Sequence, residues 1–445
     1  MSRRNFILLI IILVIAIFAV LGFVYYRGNN TGTAGGNGGG GTNFFARFNP
    51  FARNTNIPGS STPGGNENPG QPAGEVEVTA GKLRKVSSLP VAGFAVFLKE
   101  RLKEIPVPIE VVGDSASKTA PKTNAKPTPP PTEFMPALRY VERATGNIYQ
   151  TFADKIEERK FSRTVIPKIH DAFFGRSGQA VVMRHLKPDD QTIETFVGAL
   201  PKEILGEDVD NYEITGSFLA ENIQDLSLSP DTSRMFYLLN GGEGVVGTIF
   251  SFQDSKKIQV FGSPFTEWLS YWPSSKIVTL STKPSALVPG YMYMINLDTK
   301  GLTRVLSGIN GLTTLMSPDG KLVLYGDNNL SLQAYQRDTK TSTLLGVRTL
   351  PEKCTWNKVS AFVYCAVPVD PPAGLYPDGW YRGEIAFSDQ IWRINIESGS
   401  AELLADPLLL LGTEIDGTRL ALDAGEDYLF FVNKKDSSLW ELKLD

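Results

Sequence analysis

Two hydrophobic patterns divide the chain. From Phe6 to Tyr26, 21 residues carry no charge, and sixteen of them are Leu, Ile, Val or Phe. At about 1.5 Å per residue such a helix reaches roughly 30 Å, the hydrocarbon thickness of a bilayer. Beyond residue 76 the apolar positions fall instead into short β-type runs, among them Arg234 to Leu239, Lys276 to Leu280, Leu322 to Tyr325 and Tyr428 to Val432. Turn residues separate these runs and no long helical period appears. The first pattern predicts one transmembrane helix, and the second predicts an all-β domain.

The β-type runs recur with a period. Leu226 to Leu238 reads LSLSPDTSRMFYL and Thr313 to Tyr325 reads TTLMSPDGKLVLY, each a strand, a Ser-Pro-Asp turn and an outgoing apolar strand. Pro fixes φ at the second turn position and Asp hydrogen-bonds back to the turn, so the motif joins antiparallel strands. Weaker copies turn at Gly175-Arg176-Ser177-Gly178 and at Trp272-Pro273-Ser274-Ser275. The prolines at 230, 273 and 318 lie 43 and 45 residues apart, the spacing of four-stranded blades. A further strand type follows each turn, as in Tyr291 to Gly301, Ser331 to Lys340 and Gln390 to Gly399. Seven units are expected, at about 88–168, 169–221, 222–264, 265–308, 309–350, 351–406 and 407–445. The last is one strand short. Thr79 to Pro90 resembles the outer-strand segments elsewhere, so an N-terminal strand is predicted to complete the last blade and close the ring.

The segment Ser317 to Tyr325, SPDGKLVLY, resembles the repeats of TolB-type propellers, relatives of the WD-repeat class, and the resemblance covers most of residues 80 to 445. It implies a β-propeller that serves mainly as a rigid platform for proteins or peptides. In some multidomain enzymes of this kind the propeller sits beside a separate catalytic domain, for which no room is expected here.

Composition and charge refine this layout. Hydrophobic residues make up 42% and charged residues 20%, as in a globular protein, while Gly 42 and Pro 29 add turns and linkers. Residues 1 to 75 carry five Arg and two Glu, which leaves 39 basic and 45 acidic residues in the remainder, net −6. That balance offers nucleic acid no footprint. Arg3 and Arg4 flank one end of the apolar run against Arg27 at the other. The chain is therefore expected to be a single-pass membrane protein with a cytoplasmic tail at 1–5, a membrane partner through Phe6 to Tyr26, and an extracytoplasmic propeller. Tyr25 and Tyr26 suit an interfacial anchor better than the small-residue cut site of a signal peptide. Residues 27 to 75 read as a disordered linker, since 28 to 75 hold 13 Gly, 9 Asn and 5 Pro. Within it Phe44, Phe45, Phe48 and Phe51 alternate with Arg47 and Arg53, either to engage lipid or a partner groove or simply as a solvated stretch. A polar, proline-rich run at about 114–131 reads as a disordered insert within the 76–445 propeller.

Candidate chemistry is sparse. Gly242 to Gly247 fits GxGxxG, but Thr248 to Phe252 continues as a strand where a dinucleotide site needs a helix, so a hairpin turn is expected. His170 and His185 are the sole histidines and fall in one blade, and Asp208, Asp210 and Glu213 lack the ligand series of a calcium loop. No catalytic residue, metal or cofactor is expected. Cys354 and Cys365 should face one another across a hairpin, as a disulfide or as two buried thiols; an exported protein can keep the bond, worth roughly 2 to 3 kcal/mol for so short a loop. The segment Val367 to Asp389 interrupts the sixth unit with prolines and aromatic residues. Long loops of this kind bind or cap something. Its candidate binding residues are Tyr376, Trp380, Tyr381, Arg382 and Phe387, presented to a protein, peptide or glycan, unless the loop folds over the ring and plugs its channel. The functional expectation is a membrane-anchored binding scaffold. The competing class is an envelope enzyme working on polysaccharide from acidic residues in the channel.

Overall fold

The computed structural model describes residues 81–103, 130–203, 205 and 212–444. The expected tail, anchor and linker (1–75) lie outside these residues, as does the 114–131 insert except for its last two positions. Among the described residues no helix is long and apolar enough to cross a membrane.

Seven four-stranded antiparallel sheets succeed one another along the chain. Blade 1 comprises Val91–Leu102, Thr132–Glu142, Ile148–Phe152 and Arg159–Lys160. Blades 2 to 6 span 169–218, 223–263, 268–310, 313–348 and 354–405, within a few residues of the expected units. Blade 7 takes its inner three strands from Gly417–Leu422, Tyr428–Asn433 and Leu439–Lys443, and its outermost strand from Leu83–Lys85. The protein is an all-β, seven-bladed propeller.

Blade faces are apolar and must be covered on both sides, and the molecule does this with one core at every blade junction. Phe174 and Val181 pack against Val141 and Phe161 between blades 1 and 2, and Phe236 and Leu238 against Trp268 and Trp272 between blades 3 and 4. The remaining junctions repeat the arrangement, ending with Phe430 and Leu439 of blade 7 against Val91 and Tyr140 of blade 1. That last core is closed by the strand Leu83–Lys85, which is held by the last strand of blade 7. Leu83 pairs with Leu442 and Lys85 with Trp440. Arg84 donates to both oxygens of Glu441 at 2.9 and 2.8 Å and to the Ala153 carbonyl at 2.6 Å, tying the closing strand to blade 1.

The Ser-Pro-Asp turns work through the serine. Ser229 Oγ donates to Asp231 at 2.5 Å and accepts from Arg234 N–H at 3.0 Å; Ser317 does the same with Asp319 and Leu322 at 2.6 and 2.9 Å. Two more blades use the same turn with a different acceptor. Asn357 Oδ1 takes the N–H groups of Ala361 and Phe362, and Asp423 Oδ1 takes that of Tyr428. In all four the fourth residue is left-handed: Thr232, Gly320, Ser360 and Glu426 have φ of 54°, 71°, 61° and 61°. Gly241 and Gly244 pair across a hairpin turn, as expected for the glycine-rich run.

Candidate binding site at the axial mouth

The 367–389 segment connects the second and third strands of blade 6, Phe362–Pro368 and Asp389–Asn395. It carries a single helical turn, Asp378–Tyr381. Asp378 Oδ2 accepts the Ala286 N–H at 2.6 Å, which pins the segment to the connection of blade 4. Tyr376, Trp380 and Phe387 stack on one another and pack on Leu330 and Leu350.

Beneath this aromatic layer lies Lys353, wholly buried. Its Nζ donates to Asp389 Oδ2 at 2.7 Å, to Asp416 and to the Gly417 carbonyl at 3.0 Å, while the Trp380 and Phe387 rings cover it at 5.4 and 5.1 Å. Trp380 Nε1 donates to Asp416 Oδ2 at 3.0 Å, and Lys434 Nζ donates to the Trp380 carbonyl. Burial holds the Asp389 carboxyl above its ordinary value against the pull of Lys353. A buried lysine shared by two carboxylates and roofed by two rings needs every partner in place, so the segment is locked down as a cap.

Of the five candidate binding residues, Tyr376, Trp380 and Phe387 are therefore withdrawn from solvent, at 4, 4 and 1% exposure. Arg382 is exposed and paired with Glu384 at 2.7 Å. Tyr381 is the one that lines a cavity among the inner strands of blades 3 to 5, where its hydroxyl donates to Glu352. Cys354 and Cys365 sit directly opposite in the hairpin, Cα atoms 4.1 Å apart, and form a disulfide. Asp208 and Asp210 lie outside the described residues, and Glu213 pairs with Arg163 at 3.3 Å.

Two cavities flank the cap and share Glu352 as a wall. The larger, about 480 Å³, lies among the inner strands of blades 3 to 5 and combines Leu269, Leu312 and Pro284 with Ser270, Ser281, Thr314, Asp225 and Tyr381. Asp225 Oδ2 accepts from the backbone N–H and hydroxyl of Ser270 at 2.6 and 2.7 Å. Asp225 and Glu352 are partly open to this cavity and otherwise enclosed by protein. Enclosure pushes Asp225 up to about 6 and Glu352 up to about 7, the second helped by the charge of the first. Tyr381 is driven well above its ordinary value by burial and by Glu352.

The smaller cavity, about 380 Å³, brings three cations, Arg143, Arg419 and Lys434, to the same space as His170 and Glu352. Arg419 ion-pairs with Asp171 and donates to the Ala92 carbonyl at 2.9 Å. Among the described residues His170 has no partner for its Nδ1, and burial lowers its pKa, with nearby Arg184 adding to the effect. His185 lies elsewhere in the blade, 3.2 Å from Glu194. Among the described residues no group of three or more His, Cys, Asp or Glu is placed to hold a metal ion.

The channel charges carry no motif of their own, but the repeat register contains them. Counting four residues back from the first turn position of blades 2, 3, 5, 6 and 7 gives Asp171, Asp225, Thr313, Lys353 and Arg419. These are polar side chains in or just before the innermost strand of each of these blades, whereas the same count in blade 4 gives the core residue Trp268.

No family model matches the chain, and no curated protein sequence matches it. Solved structures do. An oligogalacturonate lyase in complex with manganese is 10% identical with a TM-score of 0.43, over 69% of this chain and 85% of that one. TolB from Acinetobacter baumannii is 11% identical at 0.39, over 70 and 77%. A puromycin-hydrolyzing peptidase of Mycobacterium tuberculosis is 13% identical at 0.44, over 67% of this chain and 49% of that one. At such identities the likeness concerns the fold alone.

Proposed function

We propose that this propeller is a binding scaffold, carried outside the cytoplasm by an anchor at Phe6 to Tyr26, and that it engages a protein or peptide at its axial mouth. The observation that carries this reading is the 480 Å³ cavity, where blades 3 to 6 bring together apolar walls, hydroxyls and two enclosed carboxylates. The Cys354–Cys365 bond supports an oxidising compartment. The locked cap supports a preformed site, in which little ordering entropy is lost on binding. The test is capture from native membranes with the full-length chain and its Tyr381→Ala and Asp225→Asn variants. A partner held by the parent and lost from both variants supports the reading; a partner held equally by all three contradicts an axial site.

A second reading draws on the same carboxylates. A pair raised to about 6 and about 7 is suited to exchange protons near neutrality, as an enzyme acting on polysaccharide would require. Turnover on a panel of envelope polysaccharides that disappears in Glu352→Gln would favour it.

A further inference from the structure

Resting on the scaffold reading, we infer that the cavity beneath Tyr381 is a receptacle for a single basic side chain, lysine or arginine, presented by the partner.

Each carboxylate keeps one oxygen to give. Asp225 spends Oδ2 on Ser270, and Glu352 spends Oε1 on Tyr381. Among the described residues Asp225 Oδ1 and Glu352 Oε2 accept no hydrogen bond and neither carboxylate has an ion-pair partner. Among the described residues the one cation on the cavity wall, Lys283, is exposed and engaged with Glu267 at 3.0 Å. On the same wall Thr313, 1% exposed, has a hydroxyl with no partner among the described residues. Two acceptors held at one cavity with no cation paired to them are what an ammonium or guanidinium head requires, and charge-assisted hydrogen bonds are the strong kind. The remaining lining suits the stem: Leu269, Leu312 and Pro284 offer apolar surface for methylenes, as long basic side chains use elsewhere. An anionic group would meet repulsion here. A calcium ion would need six or more oxygen ligands, which two carboxylates, one on a strand and one on a short 3-10 turn, do not supply.

The charges facing the two acceptors fix how pH enters. Glu352 meets Tyr381 from the cap, Asp225 from blade 3 and, across the smaller cavity that it also walls, Arg143, His170, Arg419 and Lys434; Asp225 meets Arg184 and Asp171 from blade 2. Arg184 is itself paired with Asp171 at 3.3 Å and donates to the Ile223 carbonyl at 2.6 Å, so its charge is shared. Lys353, next in sequence to Glu352, is taken by Asp389 and Asp416.

The probes are two blocked pentapeptides, Gly-Gly-Arg-Gly-Gly and its citrulline counterpart, titrated by calorimetry into the full-length chain in detergent micelles. Citrulline keeps the shape and removes the charge. The arginine peptide should bind at least about tenfold more tightly at pH 8, and the preference should shrink as the pH falls to about 5.5 and the carboxylates protonate. Glu352→Gln and Asp225→Asn should each bring the arginine peptide toward the citrulline level. Equal affinity for the two peptides, no binding of either at about 10 mM, or an unchanged preference in Glu352→Gln would overturn the inference. Glu352→Gln conserves volume and hydrogen-bonding capacity, so it decides the matter even if Asp225→Asn does not fold. Failure here leaves membrane capture dependent on Tyr381 intact, whereas failure of that capture removes the scaffold reading itself.

Discussion

Two enclosed glutamates occupy opposite electrostatic situations. Against blade 1, Glu203 is gripped by three cations: Lys99 and Arg139 each approach at 2.6 Å, and Arg159 pairs with its other oxygen. Burial alone would raise Glu203, yet the three cations hold it below its ordinary value. At the axial mouth Glu352 has a tyrosine hydroxyl and a neighbouring carboxylate, and it is pushed up to about 7. One scaffold therefore neutralises a carboxylate thoroughly in one place and, among the described residues, leaves another without an ion-pair partner. The difference separates structure from site. Glu203, just past the third strand of blade 2, fastens that blade to the long first hairpin of blade 1, while the raised value of Glu352 is what the proposed site would use.

The largest effect is expected where a neutralised group is made to resemble Glu352. Lys353→Met leaves Asp389 and Asp416 buried without a cation, and the loss should be about 3 to 5 kcal/mol in denaturant unfolding. A loss under about 1 kcal/mol would mean that the cap is not held by this lysine.

Next comes Glu203→Gln, which leaves three cations facing one another. At neutral pH it should cost about 2 to 3 kcal/mol. Because the folded value of Glu203 is lowered, its stabilisation is present above the ordinary carboxylate pKa and is lost as the pH falls through the folded value. Parent and variant should converge in acid, and a gap independent of pH would contradict the triple grip.

The smallest effect has the opposite sign. Glu352 rises from 4.5 to about 7 on folding, so the native state holds its proton more tightly and this group's favourable contribution fades as pH climbs from 4.5 through 7. Glutamine cannot ionise. Glu352→Gln should therefore melt a degree or more above the parent at pH 8, with the advantage gone at pH 5. A variant less stable at both values would place Glu352 with Glu203 as a structural residue.

How far these roles were legible depends on distance along the chain. The seven blades and the closing strand follow from a local period, because each Ser-Pro-Asp turn and its flanking strands lie within about a dozen residues. The turns at Asn357 and Asp423 carry no such signature, since a different side chain supplies the same acceptor. The aromatic segment was visible as an anomaly, but its orientation was not. Whether Trp380 faces solvent or core is decided by Lys353 and Asp416, which lie far from it in sequence and meet it through the ring. Asp225 and Glu352 stand alone in their local sequences, so only the register shared among blades marks Asp225, and nothing local marks Glu352.

The most direct measurement is the titration of the Glu352 carboxyl by carbon NMR in the full-length chain, with and without the arginine pentapeptide. A midpoint near 7 that falls markedly when the peptide is present is the predicted result. A midpoint near 4.5, unmoved by the peptide, would contradict the account.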